Sequence, residues 1–240
     1  MVRPIRCRVT QNSAKTLATK TPPKTTRTGA VMSELRVLNA YAGIGGNRHL
    51  WPAEWRVTAV EWSPRVAAEY QARYPADTVI VADAHTYVME HAHEFDAVWT
   101  SPPCPTHSRI NNTRKAKPKP DPSLWEQIAH LRGLGIPYVV ENVHTYYAPP
   151  ILPDLVTERH YYWTSCPPVL MSHHWTPAKL GRKHETADEL ADNYGLPRLA
   201  PGSVPDRRLA MRNAVLPSEG LEIARAAFVP QLVLRSGDPS

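Results

Sequence analysis

The sequence predicts an α/β fold in which a mostly parallel sheet carries helices on both of its faces. Short apolar runs alternate with segments of helical character at the spacing of β-α-β units, and such units require parallel strands. A glycine-rich turn, Gly43-Ile44-Gly45-Gly46, follows the first apolar run. The length of 240 residues is enough for one core with a small appendage.

The first part of the chain contains three apolar runs. They predict strands at residues 35–40, 56–61 and 78–82. A short helix is expected after the Gly43–Gly46 turn. Ser63 and Pro64 have the residue types of an N-cap and a first helical position, and they predict a helix that reaches about Tyr74. Residues 84–93 predict the helix that follows the third strand.

The middle of the chain repeats this alternation. Apolar runs predict a fourth and a fifth strand at residues 95–100 and 138–141. A polar loop and a helix separate them. Ser123 and Glu126 have the spacing of a capping box, so we expect this helix to begin there and to stop near Gly133 or Gly135.

The last part of the chain has a weaker pattern. Residues 161–163 predict one more strand, and residues 218–228 return to helical spacing. Residues 166–210 are rich in Pro, His and Arg and have no clear periodicity. They predict a small irregular region.

The net charge of +6 is concentrated at the start of the chain. Residues 1–31 hold seven of the 28 basic residues and no acidic one, which leaves 21 basic residues against 22 acidic ones elsewhere. Such a tail either adds non-specific affinity for nucleic acid or is an upstream extension before a start at Met32. Its Thr, Lys and Pro content predicts disorder in both cases.

Composition argues against several classes of protein. No apolar stretch reaches the ~18 residues of a membrane span, and no apolar segment of a secretory signal follows the early arginines. The three cysteines, Cys7, Cys104 and Cys166, are too few and too scattered for a disulfide framework or a zinc site. We therefore expect no membrane partner, no metal and an intracellular, cytoplasmic location.

Acidic residues follow the second and third predicted strands, where an open parallel sheet binds its ligands. Glu61 is suited to accept hydrogen bonds from two ribose hydroxyls, Trp62 to lie on an adenine ring, and Asp83 to accept from the adenine amino group. With the glycine turn they predict an adenosine-containing cofactor. The turn is not GxGxxG, so NAD is disfavoured, and an ordinary tight turn is the alternative.

The segment Ser101-Pro102-Pro103-Cys104-Pro105 follows the fourth predicted strand. Prolines fix the backbone, which suits a rigid exposed turn and makes Cys104 a candidate nucleophile. Arg109 and Arg159 are candidate groups to assist thiolate formation. Glu141 ends the fifth strand, where a partly buried carboxyl can be protonated and can donate to a ring nitrogen. The alternatives are a buried structural cysteine and a carboxylate in a salt bridge or helix cap.

In this order the motifs resemble those of the cytosine-C5 DNA methyltransferases. The resemblance covers roughly residues 35–165 and 211–228. It is carried by NAYAGIGG at 39–46, EW at 61–62, Asp83, SPPCPTHS at 101–108, ENV at 141–143, RHYYW at 159–163 and RNAV at 212–215. It implies a Rossmann-like S-adenosylmethionine-dependent methyltransferase fold.

The resemblance also implies a mechanism and a cofactor. The Cys104 thiolate would add to C6 of a flipped cytosine while Glu141 hydrogen-bonds or protonates N3, with Arg159 nearby, so that C5 becomes nucleophilic. The methyl donor would be S-adenosylmethionine. Residues expected to bind it are Tyr41, Gly43, Ile44, Gly45, Gly46, Glu61, Trp62, Asp83, Pro102, Asn213 and Ala214.

Double-stranded DNA is the expected partner, and residues 105–120 would close over the flipped base. Expected DNA-binding residues are Ser108, Arg109, Arg114, Lys115, Lys117, Lys179, Arg182 and Lys183. A solvated polar loop is the alternative for 105–120. The chain would divide into a tail (1–33), a catalytic core (34–165), a short target-recognition region (166–210) and a segment returning to the core (211–240). So short a recognition region leaves room for a protein partner.

Several positions depart from the family pattern. Asn39 replaces Asp, Pro105 replaces Gln, Glu158 and His160 stand where arginines are usual, and Arg212 replaces Gly. The same motifs also serve a branch that methylates cytosine in RNA. A catalytically silent regulator that binds S-adenosylmethionine or DNA is the other alternative. The sequence leaves open whether the product would serve protection against restriction or a later modification.

Overall fold

The computed structural model describes residues 35–166 and 185–229. In these ranges one sheet contains the strands β1 (Arg36–Ala40), β2 (Arg56–Glu61), β3 (Thr78–Val81), β4 (Ala97–Thr100), β5 (Tyr138–Val143), β6 (Leu155–Val156) and β7 (His160–Thr164). The α-helices are α1 (Pro64–Arg73), α2 (Ala84–His91), α3 (Ser123–Leu134), α4 (Ala187–Tyr194), α5 (Arg207–Arg212) and α6 (Pro217–Phe228). Short 3₁₀ helices occupy Ala92–Glu94 and Arg109–Thr113.

The strand order in the sheet is β3-β2-β1-β4-β5-β7-β6. Strands β1 to β5 are parallel, whereas β7 is antiparallel to both β5 and β6. Ala40 at the end of β1 is in register with Val60 of β2 and with Thr100 of β4. The carboxyl ends of these strands therefore meet at one edge of the sheet. The order reverses between β1 and β4, and open α/β sheets bind ligands at such a switch point.

Helices cover both faces of the sheet, as the sequence predicts for a Rossmann-like α/β fold. On one face Val37, Val57, Trp99 and Val139 pack with residues of α6, including Ile223 and Phe228. On the other face Leu38, Val60, Val98 and Val140 pack with Val88 of α2 and with Leu124, Ile128 and Leu131 of α3. Alternate strand residues thus enter two cores, which is the geometry of a sheet buried on both sides.

Six of the seven described strands agree with predicted ones to within two residues at each end, and β6 was not predicted. Two local predictions are wrong. Turns, not a short helix, follow Gly46. Ser123 is the first residue of α3 rather than its N-cap, because Pro122 holds that position and the Asp121 carboxylate accepts the Ser123 N–H at 3.0 Å. The helix ends as predicted at Gly135, whose φ of 68° is in the left-handed region.

Residues 185–210 are more regular than the sequence indicates. They contain α4, with a complete capping box between Thr186 and Glu189, and most of α5. Leu190, Tyr194 and Met211 from these helices pack around Ile44 of the glycine turn. This part of the predicted target-recognition region therefore lies directly on the core.

No helix within 35–166 and 185–229 is long and apolar enough to cross a membrane. In the same ranges no group of three or more His, Cys, Asp or Glu side chains is placed to hold a metal ion. The predicted tail at 1–33 and the predicted DNA-binding residues Lys179, Arg182 and Lys183 lie outside the described residues.

Candidate active site

The turn after β1 requires glycine at two positions for different reasons. Gly45 has a φ of 77°, and a Cβ there would lie 2.3 Å from a Tyr74 ring carbon. A Cβ on Gly46 would lie 2.6 Å from the Val215 carbonyl oxygen and 2.8 Å from the Ala214 Cβ. Because Val215 and Ala214 precede α6, the segment after α5 is packed directly against the turn.

Tyr41 opens this turn with a φ of 55°, a conformation that residues other than glycine rarely adopt. Its hydroxyl accepts a hydrogen bond from the Gln127 amide of α3 at 2.8 Å. Burial raises the pKa of Tyr41 to about 12. The side chain is therefore a neutral hydrogen-bonding group at the switch point.

Glu61, the last residue of β2, is buried and ties the first two strand ends together. One carboxylate oxygen accepts the Gly43 N–H at 3.1 Å, and the other accepts the Ser63 N–H at 2.9 Å. Each oxygen keeps further acceptor capacity. The carboxylate is thus held rigidly by backbone donors and can accept additional hydroxyl groups.

Trp62 and Asp83 flank this carboxylate along the chain. The Trp62 side chain is 77% exposed, so its indole face is free to cover a planar group. Asp83 is the N-cap of α2, where its carboxylate accepts the Thr86 N–H at 2.8 Å. This hydrogen bond lowers the pKa of Asp83. The capping contact uses one of its oxygens, and the other remains available to a donor.

Asn39 lies fully buried in β1, under the turn. Its side-chain oxygen accepts the Asn47 amide at 2.8 Å, and its own amide nitrogen has no hydrogen-bond partner among the described residues. A Cβ on Gly220 of α6 would lie 2.7 Å from the Cα of Asn47. The glycine turn is therefore fixed from below by β1 and from the side by α6.

The proline-rich turn after β4 is anchored to the neighbouring strand. The buried Asn142 amide of β5 donates to the Pro102 carbonyl at 2.9 Å, as expected for a residue that anchors the local backbone. The Cys104 carbonyl accepts the backbone N–H groups of His107 at 2.9 Å and Ser108 at 3.0 Å. The partly buried Cys104 thiol is thereby held at the end of β4, on one side of the switch point.

The thiol is not activated in the protein alone. Burial, followed by the negative charge of Glu141, raises the pKa of Cys104. The charges of Arg212 and Arg159 act in the opposite direction but do not outweigh these two influences. A thiolate at this position is therefore favoured by neutralisation of the Glu141 carboxylate and by the positive charges of Arg212 and Arg159.

Arg159 is held beside this site by groups that follow it in the chain. Its guanidinium donates to the Tyr194 hydroxyl of α4 and, at 3.0 Å, to the Arg212 carbonyl of α5. Arg212, which departs from the family pattern, acts on the thiol together with Arg159. Arg109, the other predicted helper, instead acts on His144, where burial is the largest influence that lowers the pKa.

Glu141 is buried at 7% exposure, and it lies beside a histidine that sequence reasoning gave no function. The His160 Nε2 atom lies 3.6 Å from Glu141 Oε1, and its Nδ1 atom lies 3.8 Å from Glu219 Oε2. His160 stands at a position where the family carries arginine. This departure from the family pattern was the one feature of the sequence that could have drawn attention to His160. Its contact with Glu219 of α6 could not be predicted, because it depends on the tertiary fold.

The predicted DNA-binding loop is attached to the segment after β5. The Tyr146 hydroxyl donates to the Pro118 carbonyl at 2.5 Å, and Ser108 forms an isolated β-bridge with Thr145. The exposed basic side chains of this loop are those of Arg109, Arg114, Lys115, Lys117 and Lys119, of which Lys117 lies over the Tyr146 ring. The loop therefore presents positive charge next to Cys104 from a defined backbone.

No protein-family model and no curated protein matches this chain. Similar solved structures include DNMT2 from Spodoptera frugiperda, with 22% identity, a TM-score of 0.35, and coverage of 46% of this chain and 36% of that one. A SAM-dependent methyltransferase from Agrobacterium tumefaciens has 17% identity, a TM-score of 0.35, and coverage of 50% and 42%. In both cases the match spans well under half of the other protein, so the likeness concerns part of the fold and nothing more.

Proposed function

We propose that this protein is an S-adenosylmethionine-dependent methyltransferase that acts on C5 of cytosine in double-stranded DNA. The proposal rests on the residues that lie at the switch point between β1 and β4. The glycine turn ends β1 on one side, and the turn bearing Cys104 ends β4 on the other. Glu141 of the adjoining strand β5 lies close enough to raise the pKa of the Cys104 thiol, although burial has the larger effect.

The residues at the ends of β1, β2 and β3 fit an adenosine-containing cofactor. Glu61 has both oxygens fixed by backbone N–H groups and can accept the two ribose hydroxyls. Trp62 is exposed beside it, and Asp83 keeps one oxygen free of its capping bond. The glycine turn is packed against protein at Gly45 and Gly46 but open at Gly43, where a Cβ would meet no atom within 4 Å, so the backbone there could contact the amino-acid part of the cofactor. When bound, S-adenosylmethionine supplies an electrophilic methyl group.

The side chains at the ends of β4 and β5 would perform the covalent chemistry. The Cys104 sulfur forms a bond to C6 of the cytosine while Glu141 gives a proton to N3, and the electron pair released into the ring makes C5 nucleophilic. After C5 has gained its methyl group, its proton passes to a water molecule, and the electron pair of the broken C–H bond forms the C5–C6 double bond. The sulfur then leaves C6, N3 returns its proton to Glu141, and the ring regains aromaticity.

Attack on C6 requires the face of the base, so the cytosine must leave the duplex. The exposed basic residues of the loop after Cys104 are suited to contact DNA phosphates around an extruded base. Arg159 and Arg212 favour the thiolate once the base has entered. The predicted partner is therefore duplex DNA, with specificity read by groove contacts that include residues outside the described ranges.

Covalent trapping with 5-fluorocytosine in duplex DNA tests the proposal, because fluorine blocks the loss of the C5 substituent and the adduct accumulates. In the presence of S-adenosylmethionine we expect a gel-stable complex that disappears in Cys104→Ala. Cys166→Ala is the matched control and should keep the adduct. An adduct with fluorinated RNA but not with DNA of varied sequence would replace DNA by RNA as substrate. Binding of S-adenosylmethionine with no adduct on either nucleic acid would contradict the proposed reaction.

A further inference from the structure

His160 lies between two buried carboxylates that come from different parts of the chain. Glu141 belongs to β5, Glu219 belongs to the first turn of α6, and the His160 ring nitrogens are 3.6 and 3.8 Å from them, respectively. His160 is only 6% exposed, and Glu219 only 2%. Both carboxylates thus meet the same imidazole away from bulk water.

The charge of this cluster depends on one proton. A neutral imidazole has an N–H on only one nitrogen, so it can offer a donor to only one of the carboxylates. The imidazolium form has both N–H groups and reduces the net negative charge of the cluster by one, which matters because buried like charges disfavour each other. Only the imidazolium form therefore places an N–H on each of the two nitrogens that lie near these carboxylates.

Glu219 is the carboxyl whose ionised form its contacts favour. Burial acts to raise its pKa and is the largest single influence, but contacts with His160, together with those of Thr157 and Tyr162, outweigh it and lower the pKa. Glu141 is then the carboxyl that can exchange a proton with the imidazole. Its own charge acts on the Cys104 thiol.

We propose that His160 is a positioning residue for Glu141, and that the proton shared between them is the one that Glu141 delivers to N3 of the substrate base. The His160 Nε2–H moves to the ionised Glu141 carboxylate, and Glu141 then gives this proton to N3, which leaves a neutral imidazole between Glu141 and Glu219. When the sulfur leaves C6, N3 returns its proton to Glu141 and the imidazolium is restored. The same proton removes the Glu141 charge that opposes the Cys104 thiolate.

This arrangement predicts that methyl transfer slows as pH rises and the cluster loses its proton. The ionisable groups that face or adjoin His160 are Glu141 on β5, His144 after β5, Arg159 and Tyr162 on the β7 segment, and Glu219 on α6. Burial raises the pKa of Tyr162 well above its ordinary value, and burial lowers the pKa of His144. The alkaline loss of rate is thus assigned to the Glu141–His160–Glu219 cluster as a unit.

The test rests on the proposed function and compares pH profiles of kcat for DNA methylation in the full-length protein. We expect the wild type to lose rate on the alkaline side. His160→Gln should lower kcat about 10- to 100-fold near neutral pH, change the KM for S-adenosylmethionine less than about twofold, and lack this alkaline limb. His160→Arg, whose guanidinium stays charged, should recover most of the rate and move the limb upwards by at least about one pH unit.

Glu219→Gln provides a second variant that leaves the imidazole in place. Removing this negative charge makes the imidazolium easier to deprotonate, so the limb should move to lower pH by about one unit. His91→Gln is the matched control, because His91 lies on the surface between Glu90 and Glu94. It should leave the profile unchanged. Thermal melting verifies that each variant is folded.

The outcomes separate the two proposals. An active wild type whose alkaline limb is the same in His160→Gln, His160→Arg and Glu219→Gln would overturn the role of His160 and leave the methyltransferase assignment standing. A wild type with neither methyl transfer nor a 5-fluorocytosine adduct at any pH would overturn the proposed function and, with it, this role. Limbs that move in opposite directions in His160→Arg and Glu219→Gln would support it.

Discussion

The candidate site has two regions. At the ends of β1, β2 and β3, backbone groups and close backbone packing hold the candidate cofactor-binding residues in place. In β4, β5 and β7, buried side chains determine the surroundings of the candidate catalytic residues. In the first region both Glu61 oxygens accept backbone N–H groups, and Gly45 and Gly46 have no room for a Cβ. In the second, Glu141 faces His160, and charged side chains set the pKa of Cys104 after burial has raised it. Substitutions in the first region should therefore change binding and stability, and those in the second should change chemistry.

The largest effect is expected for Glu141→Gln in the second region. An amide cannot deliver a proton to N3, so kcat for methylation should fall about 10²- to 10⁴-fold. The dissociation constant of S-adenosylmethionine should stay within about twofold, because Glu61, Trp62 and Asp83 are unchanged. Single-turnover methyl transfer and calorimetric titration measure the two quantities.

Glu90→Gln is the control for this experiment, since Glu90 is an exposed carboxylate on α2 whose only ion-pair contact in the described residues is with His91. It should retain both rate and affinity. If Glu141→Gln instead weakened cofactor binding and kept kcat, the division between the two regions would be wrong.

The complementary change in the first region is Glu61→Ala. Hydrogen bonds to a charged group contribute about 1.5–3 kcal/mol, so losing those to the ribose should weaken S-adenosylmethionine binding by roughly 10- to 100-fold. At saturating cofactor, kcat should be nearly normal. Glu61→Gln keeps one acceptor oxygen and should lie between the wild type and Glu61→Ala.

Thermal melting is needed beside the binding measurement, because Glu61 also holds Gly43 and Ser63 through their backbone N–H groups. A variant that is folded and binds S-adenosylmethionine as tightly as the wild type would exclude Glu61 from the cofactor site. A drop in kcat at saturating cofactor would instead indicate that Glu61 takes part in the methyl-transfer step.

Much of the first region could be predicted from the sequence because its determinants are local. The parallel strands are buried on both faces, so they read as short apolar runs, and the functional residues directly follow them. The Gly43–Gly46 turn, Glu61 and Asp83 are all found at strand ends on this basis. Their binding role stays a prediction.

Most of the features that could not be predicted from the sequence depend on contacts between distant parts of the chain. The turns after Gly46 are set by close packing of Asn47 against Gly220 of α6. Helix α4 escaped detection because its burial is against Ile44 and its neighbours, not against adjacent sequence. The partnership of His160 with Glu219 likewise exists only once α6 has packed beside β7. At Ser123 a local pattern failed because Asp121, two residues earlier, takes the backbone N–H.

A smaller effect is expected from two alanine substitutions in the glycine turn. Gly46→Ala places a Cβ 2.6 Å from the Val215 carbonyl oxygen, and neither backbone can withdraw easily. Overpacking of this kind lowers the free energy of unfolding by about 1–3 kcal/mol. Gly43→Ala meets no atom within 4 Å, but its φ of 54° is strained for alanine, so we expect a loss of about 1 kcal/mol.

Urea denaturation compares these two variants directly. A larger loss for Gly46→Ala would establish that contact with the segment before α6, rather than backbone conformation, sets the demand for glycine there. Equal losses would mean that this segment moves away at little cost, and the turn would then be less rigid than its packing indicates.

The smallest effect concerns the reactivity of Cys104 in the absence of substrate. Burial raises the pKa of this thiol, and the Glu141 charge raises it further, so the thiolate fraction at neutral pH is low and increases as pH rises. Glu141→Gln removes the influence of the carboxylate charge and should lower the pKa of the Cys104 thiol.

Alkylation of Cys104 by iodoacetamide at neutral pH should then be about 3- to 10-fold faster in Glu141→Gln than in the wild type, which corresponds to a shift of about half to one pH unit. Peptide mass spectrometry gives the rate at each cysteine, and Cys166 is the internal reference whose rate should not change. An unchanged rate at Cys104 would mean that burial alone raises its pKa, so the carboxylate would act on the substrate base without acting on the nucleophile.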